Sequence, residues 1–533
     1  MAHQNFDHSE FESVRYYLGT YGCTGSTNRV NYYTITGTPT LWFNGTHKIV
    51  GAGTDAATGE GYMDIIRSRY FDPSPIRIEV DSFNPASGAV SVTVTMYSTT
   101  FSIASEDFHI VLMEDDVNTA PATYDDTHVT RDVFSDTISL TGQGNTATFN
   151  HTFVINPSWD TTKLRVVAFV QLQDKTIIQT GSGDSVPDFR VRAMVPSSRS
   201  KIGPSTGAEE TGDVTVMNVG LGDTFEISVV IDEAPAGWAV AFKDSVGATH
   251  TDPLSFFLNG DESTTFKAVA MPNSPGYMRY SLVVTSPNLA RPLVIPFVYI
   301  SNDVDVLVVD DDGGESYEDY FTAALQSAGK SFGVWDRGTS QLTAEVASNF
   351  RVLIWNAGFA SPTLDADDQA FLADFLDNGN GLFMSGQDVG WELNEANPAV
   401  AWYHTYLHAT YIRDDTNIYN IFGVSGDPIT DGLDLVIQGG TGANNQAYPD
   451  EIAPYDADAT MILNYQGNYG AAIRSTDSVS GAKVVYLGFG FEGIADAQDR
   501  HDLLVPAVRW IQGIIFENGF ESGDTSAWSS VTP

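Results

Sequence analysis

One cysteine, Cys23, stands in 533 residues. A single thiol excludes an intrachain disulfide, a CxxC redox pair and a thiolate zinc site. Basic side chains are also scarce, with 26 Lys and Arg against 68 Asp and Glu, a formal charge of −42. Such a surface repels phosphate polyanions, which excludes nucleic-acid partners, and it disfavours adsorption to anionic lipid. No apolar run approaches the roughly 20 residues that span a bilayer. The start, Met1 to Asp7, has neither a basic n-region nor an apolar h-region. What is present is 42% hydrophobic and 12% aromatic residues, enough for packed cores and too many for a disordered acidic chain. At roughly 100–200 residues per domain, this length implies about three to five domains. Few Lys and many Thr, Ser, Gly and Asn point to an exported protein, and a segment upstream of Met1 is expected.

Residues 1–72 mix helix and strand signals. Phe11, Val14 and Tyr17 have helical spacing over Glu10–Tyr17, and Asn31–Ile35 is a short β-rich run. Gly37-Thr38-Pro39-Thr40 then leads into Leu41-Trp42-Phe43 and an Asn44-Gly45 hairpin signal. Gly59–Tyr70 reads as a closing helix. The Gly-Thr-Pro-Thr turn before an aromatic strand resembles the cis-proline turn of thioredoxin-like folds, with Thr38 and Pro39 as the turn residues. The resemblance covers only the second half of such a domain. Because no CxxC is present, it implies no redox activity, and Cys23, in a Gly-rich loop, reads as a functional thiol or as an unremarkable loop cysteine.

Residues 75–200 alternate apolar and polar side chains, as at Ile76, Ile78 and Val80 and at Val90, Val92 and Val94. That period of two is the signature of a half-buried strand, and its repetition predicts a β-sandwich. Arg29–Tyr33, Val111-Leu112-Met113-Glu114-Asp115 and Val166–Gln171, taken with the turn, resemble one family. It is the thioredoxin-like outer-membrane proteins related to a twenty-eight-kilodalton outer membrane protein. The resemblance spans about 200 residues and implies export and no established reaction. A polar linker, Pro196–Gly207, precedes a second sandwich over 205–302. That sandwich resembles the immunoglobulin-like accessory domains of secreted glycosidases and peptidases. Trp238 within it is either a carbohydrate platform or a core ring.

Over 303–513 strands alternate with helices. Val304–Val309 is continuously apolar, as when a parallel sheet buries both faces of a strand. It ends in Asp310-Asp311-Asp312-Gly313-Gly314. Further strands are read at Ser331–Trp335, Val352–Trp355, Gly381–Met384 and Val484–Phe489. Helices are read at Tyr317–Ala328, Asp365–Leu376 and Leu503–Ile511. This is an open, flavodoxin-like α/β sandwich, and its motif order resembles the class I glutamine-amidotransferase-like fold. On that resemblance Met384 stands where the nucleophilic cysteine would be, and only Glu492 remains of the later His and Glu. A thioether cannot serve as that nucleophile. The domain is therefore expected to be a pseudoenzyme.

Three sets of residues are candidates for chemistry. Ser385 could replace the missing nucleophile, with His404, His408 or His501 as base and Asp388 or Glu492 orienting it. Alternatively, Ser385 simply begins a loop. Asp310, Asp311, Asp312 and Glu315 offer hard oxygens suited to Ca²⁺ or Mg²⁺ at the edge where open α/β sheets bind ligands. One of these aspartates could equally cap the next helix. His404 and His408, four apart, would share a helix face as zinc ligands do, or as two exposed histidines. No cofactor other than such a Ca²⁺ is implied. The tail 514–533, with Gly519-Phe520-Glu521-Ser522-Gly523-Asp524, resembles the ends of many secreted bacterial proteins and reads as a sorting signal or a loose extension.

The expected protein has a partial thioredoxin-like domain, two immunoglobulin-like sandwiches and an amidotransferase-like α/β domain. It would be a non-enzymatic binding or scaffold module of the bacterial cell envelope or exterior. A surface protein or glycan is its expected partner. The alternatives are a hydrolase- or peptidase-associated protein with its site at the carboxyl edge of the last sheet, and a thiol-disulfide protein whose CxxC lies upstream of Met1.

Overall fold

The computed structural model describes residues 12–17, 22–35, 40–50, 66, 70–71, 74–118, 125–126, 128–183, 187–196, 198–337, 340–360, 362–396 and 398–513. The chain divides into two compact units, Met1–Arg190 and Val191–Pro533, and strands dominate both.

In the first unit a helix, Thr24–Tyr32, starts at Cys23, whose thiol accepts a hydrogen bond from the Ser26 amide. The β-rich run read at Asn31–Ile35 is therefore corrected, because its first residues close this helix. Gly25 lies so near Val133 that a Cβ there would sit 2.5 Å from its Cγ2. Residues 12–17 are not helical either, since Arg15 bridges to Val129 in parallel. The hairpin forms as expected, with Thr40–Phe43 antiparallel to His47–Val50. Asn44 and Gly45, the two central residues of the tight Phe43–Thr46 turn, both take positive φ. Thr38 and Pro39 lie outside the described residues, as does nearly all of the helix read at Gly59–Tyr70.

The expected sandwich follows. One sheet orders Ile177–Ser182, Leu164–Gln171, Ser102–Glu114 and Val129–Thr141, and the other Ile76–Asn84, Ala89–Met96 and Thr146–Thr152. Val90, Val92, Val94, Phe108, Ile110, Leu112 and Val166 meet in a single core. The alternation read in the sequence is thus the inward face of each strand.

The second unit opens with another two-sheet β assembly, and its start differs from the sequence reading. Val191–Met194 pairs with Val214–Asn218, and Ser200–Gly203 runs parallel to Leu293–Ser301. The polar stretch read as a linker therefore contributes an edge strand, and this domain begins at 191 rather than 205.

The α/β domain is built on a nine-stranded sheet. Five parallel strands come in the spatial order Phe332–Asp336, Val306–Asp310, Val352–Gly358, Gly381–Gly386 and Lys483–Leu487. In order of sequence this is 2-1-3-4-5, the flavodoxin-like doubly wound arrangement. Tyr469–Thr476, Ala459–Tyr465, Asn420–Gly423 and Asp434–Val436 extend it antiparallel. Helix Glu318–Ser327 packs with Ala497–Gln512, whereas Ala366–Asp377 packs with Ala344–Asn349 and Val400–Tyr406. With this strand order, the right-handed rule for parallel crossovers assigns the two groups to opposite faces. Asp365 caps its helix through a reciprocal capping box with Asp368. No helix among the described residues is long and apolar enough to cross a membrane.

Candidate functional site

The carboxyl ends of the parallel strands gather most of the polar groups singled out in the sequence. Asp310 and Asp312 point the same way and meet Glu318, each offering an oxygen within 4.8 Å of the others. Asp311, between them, points oppositely, as adjacent strand residues must. Its Oδ2 accepts from Trp355 Nε1 at 3.2 Å. Glu315 is not part of the cluster, and Glu318 takes its place. The sequence shows Glu318 only as an acid in the first turn of a helix, which does not reveal the direction of its side chain. Asp312 is a turn-former: it accepts from the amides of Gly314 at 3.1 Å and Tyr317 at 3.0 Å, and from Asn356 Nδ2 at 3.0 Å. Arg279 reaches in from the preceding domain to Glu318 at 3.2 Å. Burial, and then Asp312, push the Asp310 carboxyl well above the usual carboxylate range.

The elbow after Gly381–Gly386 does not assemble a triad. Ser385 is fully buried; its Oγ accepts from the Phe491 amide at 2.7 Å and donates to the Phe489 carbonyl at 3.3 Å. Glu492 Oε1 accepts from Asn445 Nδ2 at 2.8 Å and Gln446 Nε2 at 3.0 Å. The His404 ring stacks on Tyr455 with centroids 3.9 Å apart. His501 sits beside Asp502 at 3.0 Å on the last helix. The zinc pairing of His404 with His408 is likewise corrected. The helix ends at Tyr406, and His408 turns away at φ 52° to pair with Asp456 at 2.9 Å.

A second carboxylate group was not anticipated. Asp388, Asp414 and Asp450, from three distant segments, bring one oxygen each within 4.8 Å of the others. Asp388 follows the fourth parallel strand and takes a left-handed backbone, φ 60° and ψ 5°. Asp450 is completely buried. Its Oδ2 accepts from the Gly390 amide at 2.8 Å and the Trp391 amide at 3.2 Å. A Cβ at residue 390 would sit 2.7 Å from that oxygen, so glycine is needed there. Asp450 Oδ1 and Asp414 Oδ1 are buried without a hydrogen-bond partner. Burial first, then Asp414, Glu392 and Asp415, raise the Asp388 carboxyl to about 7. Burial and then Asp388 push Asp450 well up. No spacing in the sequence links residues 388, 414 and 450; only Asp388, at a strand's carboxyl end, was marked there.

Elsewhere, Trp238 is a core ring, 5% exposed, whose Nε1 donates to Ser274 Oγ at 3.0 Å. In the first unit Arg29 is buried among aromatic rings, including Tyr32 at 4.9 Å and Tyr33 at 5.1 Å. It donates to Gln171 Oε1 at 2.6 Å and lies 3.2 Å from His109 Nε2. Burial and then Arg29 lower His109 to about 3, so this histidine stays neutral. The tail 514–533 lies outside the described residues.

No family model and no curated protein matches the chain. Among solved structures it is similar to the exo-β-1,4-mannosidase Op5Man5 from Opitutaceae bacterium strain TAV5, at 14% identity and a TM-score of 0.27. That match covers 39% of this chain and 35% of the mannosidase. WR4, an MSP family member of C. elegans, matches at 8% identity and a TM-score of 0.14, over 22% of this chain and 99% of its own. The PapD-like domain 7 of human CEP192 matches at 12% identity and a TM-score of 0.14, over 22% and 89%. Likeness at this level assigns no activity; the sandwich description rests on the strand pairing itself.

Proposed function

We propose that this chain is an exported bacterial protein of the cell envelope or exterior that binds or scaffolds a surface protein or glycan and has no catalytic activity of its own. One observation carries this reading. Ser385, the surrogate proposed for the nucleophile, is buried, and among the described residues its Oγ is hydrogen-bonded to the backbone of Phe489 and Phe491 and not to a histidine. A general base must reach the proton that it removes. Under this reading the α/β domain is a pseudoenzyme of the amidotransferase-like type, with Met384 at the position of the cysteine. The thioredoxin-like resemblance of the first 200 residues supports export.

A screen against esterase, amidase and peptidase substrates tests the reading, using wild type and Ser385→Ala. Both are expected at the buffer rate. Turnover by wild type that Ser385→Ala abolishes would overturn the proposal in favour of the hydrolase.

A further inference from the structure

We propose that Asp388, Asp414 and Asp450 form a calcium site at the carboxyl edge of the parallel strands. Acidic clusters are common on a chain of charge −42. This one holds a completely buried carboxylate with an oxygen, Asp450 Oδ1, that meets no donor; Glu318 Oε2 in the Asp310–Asp312–Glu318 cluster is also without a donor, but Arg279 pairs with that carboxylate. Asp414 Oδ1 is also a buried atom without a donor, on a residue that is itself only partly buried. A buried carboxylate oxygen without a partner is costly, and it is satisfied by a proton, a cationic side chain or a metal ion. No Arg, Lys or His forms an ion pair with Asp388, Asp414 or Asp450 among the described residues. Arg413, the nearest basic residue in sequence, is directed to Glu451 at 2.6 Å. The charged groups that act on Asp388 are all carboxylates, those of Asp414, Glu392 and Asp415.

The donor set selects the ion. Carboxylates without histidine or cysteine favour hard cations over zinc. Donor atoms within 4.8 Å of one another can be bridged by Ca²⁺, whose bonds to oxygen are about 2.3–2.6 Å. Mg²⁺, at about 2.0–2.1 Å, would need the group to contract wherever that full span is used. Water would complete the coordination. The Asp310–Asp312–Glu318 cluster differs, because Arg279 already supplies a positive charge there. This inference stands whether the chain is a scaffold or a hydrolase.

Calorimetric titration of the chelator-treated full chain with CaCl₂ in 0.15 M NaCl tests it. The expected result is one saturable site, weakened at least tenfold in Asp414→Asn and in Asp388→Asn and unchanged in Asp310→Asn. Asp414→Asn is informative even if Asp450→Asn fails to fold, since Asp414 holds no ion pair. Three results would overturn the proposal. They are no Ca²⁺ binding by wild type, binding by Asp388→Asn and Asp414→Asn equal to wild type, and tighter binding of Mg²⁺ than of Ca²⁺.

Discussion

Asp388 is a carboxyl raised to about 7 by burial and by its acidic neighbours, so its charged form is disfavoured in the folded state. The unfolded chain releases this proton near the ordinary carboxylate value. The stabilising contribution is therefore full at low pH and is lost as pH rises towards 7. In chelator, Asp388→Asn should gain stability over wild type as pH rises from about 4 to about 7, with no difference below that window. Melting temperatures across pH read this directly. His109 has the opposite logic: it resists protonation in the fold, so stability falls as pH drops from about 6.5 towards about 3. Arg29→Met removes the second cause of that depression. The His109 resonance should then titrate at higher pH, still below an exposed histidine. The same variant strips a donor from Gln171 Oε1 and one from Tyr33 Oη, which still accepts from Gln171 Nε2; leaving Gln171 Oε1 unpaired should cost about 1–3 kcal/mol, measured by urea unfolding.

At the scale of elements, Gly381 opens the fourth parallel strand under the last helix, and a Cβ there would lie 2.1 Å from Ile511 Cγ2. Gly381→Ala should destabilise by about 1–3 kcal/mol through overpacking, seen as a lower urea midpoint with an unchanged slope. The parallel strands were legible because both faces are buried, which leaves runs such as Val306–Asp310 almost wholly apolar. The sandwich strands were legible by alternation. The antiparallel extension was not read: Asn420–Gly423 and Asp434–Val436 are too short to show a period, and Tyr469–Thr476 is buried at consecutive positions and does not alternate. The helix Thr24–Tyr32 was hidden because its buried face carries Ser26 and Arg29, which polarity assigns to solvent. The same limit applies to the site. Asp310 and Asp312 could be found from one motif, whereas Asp388, Asp414 and Asp450 meet only through the topology between them.

At the scale of the molecule, residues 303–513 hold 8 basic and 32 acidic side chains, a net of −24. Over half the excess charge therefore sits on one domain. Self-repulsion of this kind weakens the compact state and is screened over about 10 Å at 0.1 M salt. Heating should unfold the two units separately, and added NaCl should raise the transition of the second unit, Val191–Pro533, more than that of the first. Scanning calorimetry at increasing NaCl checks this, and one transition insensitive to salt would contradict it.

The hydrogen bond from Arg29 to Gln171 joins residues 142 apart. On a ribosome adding about 5–20 residues per second, Gln171 is made roughly 7–28 s after Arg29. A nine-residue helix is marginal alone in water, so Thr24–Tyr32 gains support first from Val129–Thr141, on which it packs, and has its full set of partners when Leu164–Gln171 has emerged. This helix is thus completed well after it is made. Until then its aromatic side chains are open to whatever receives the nascent chain.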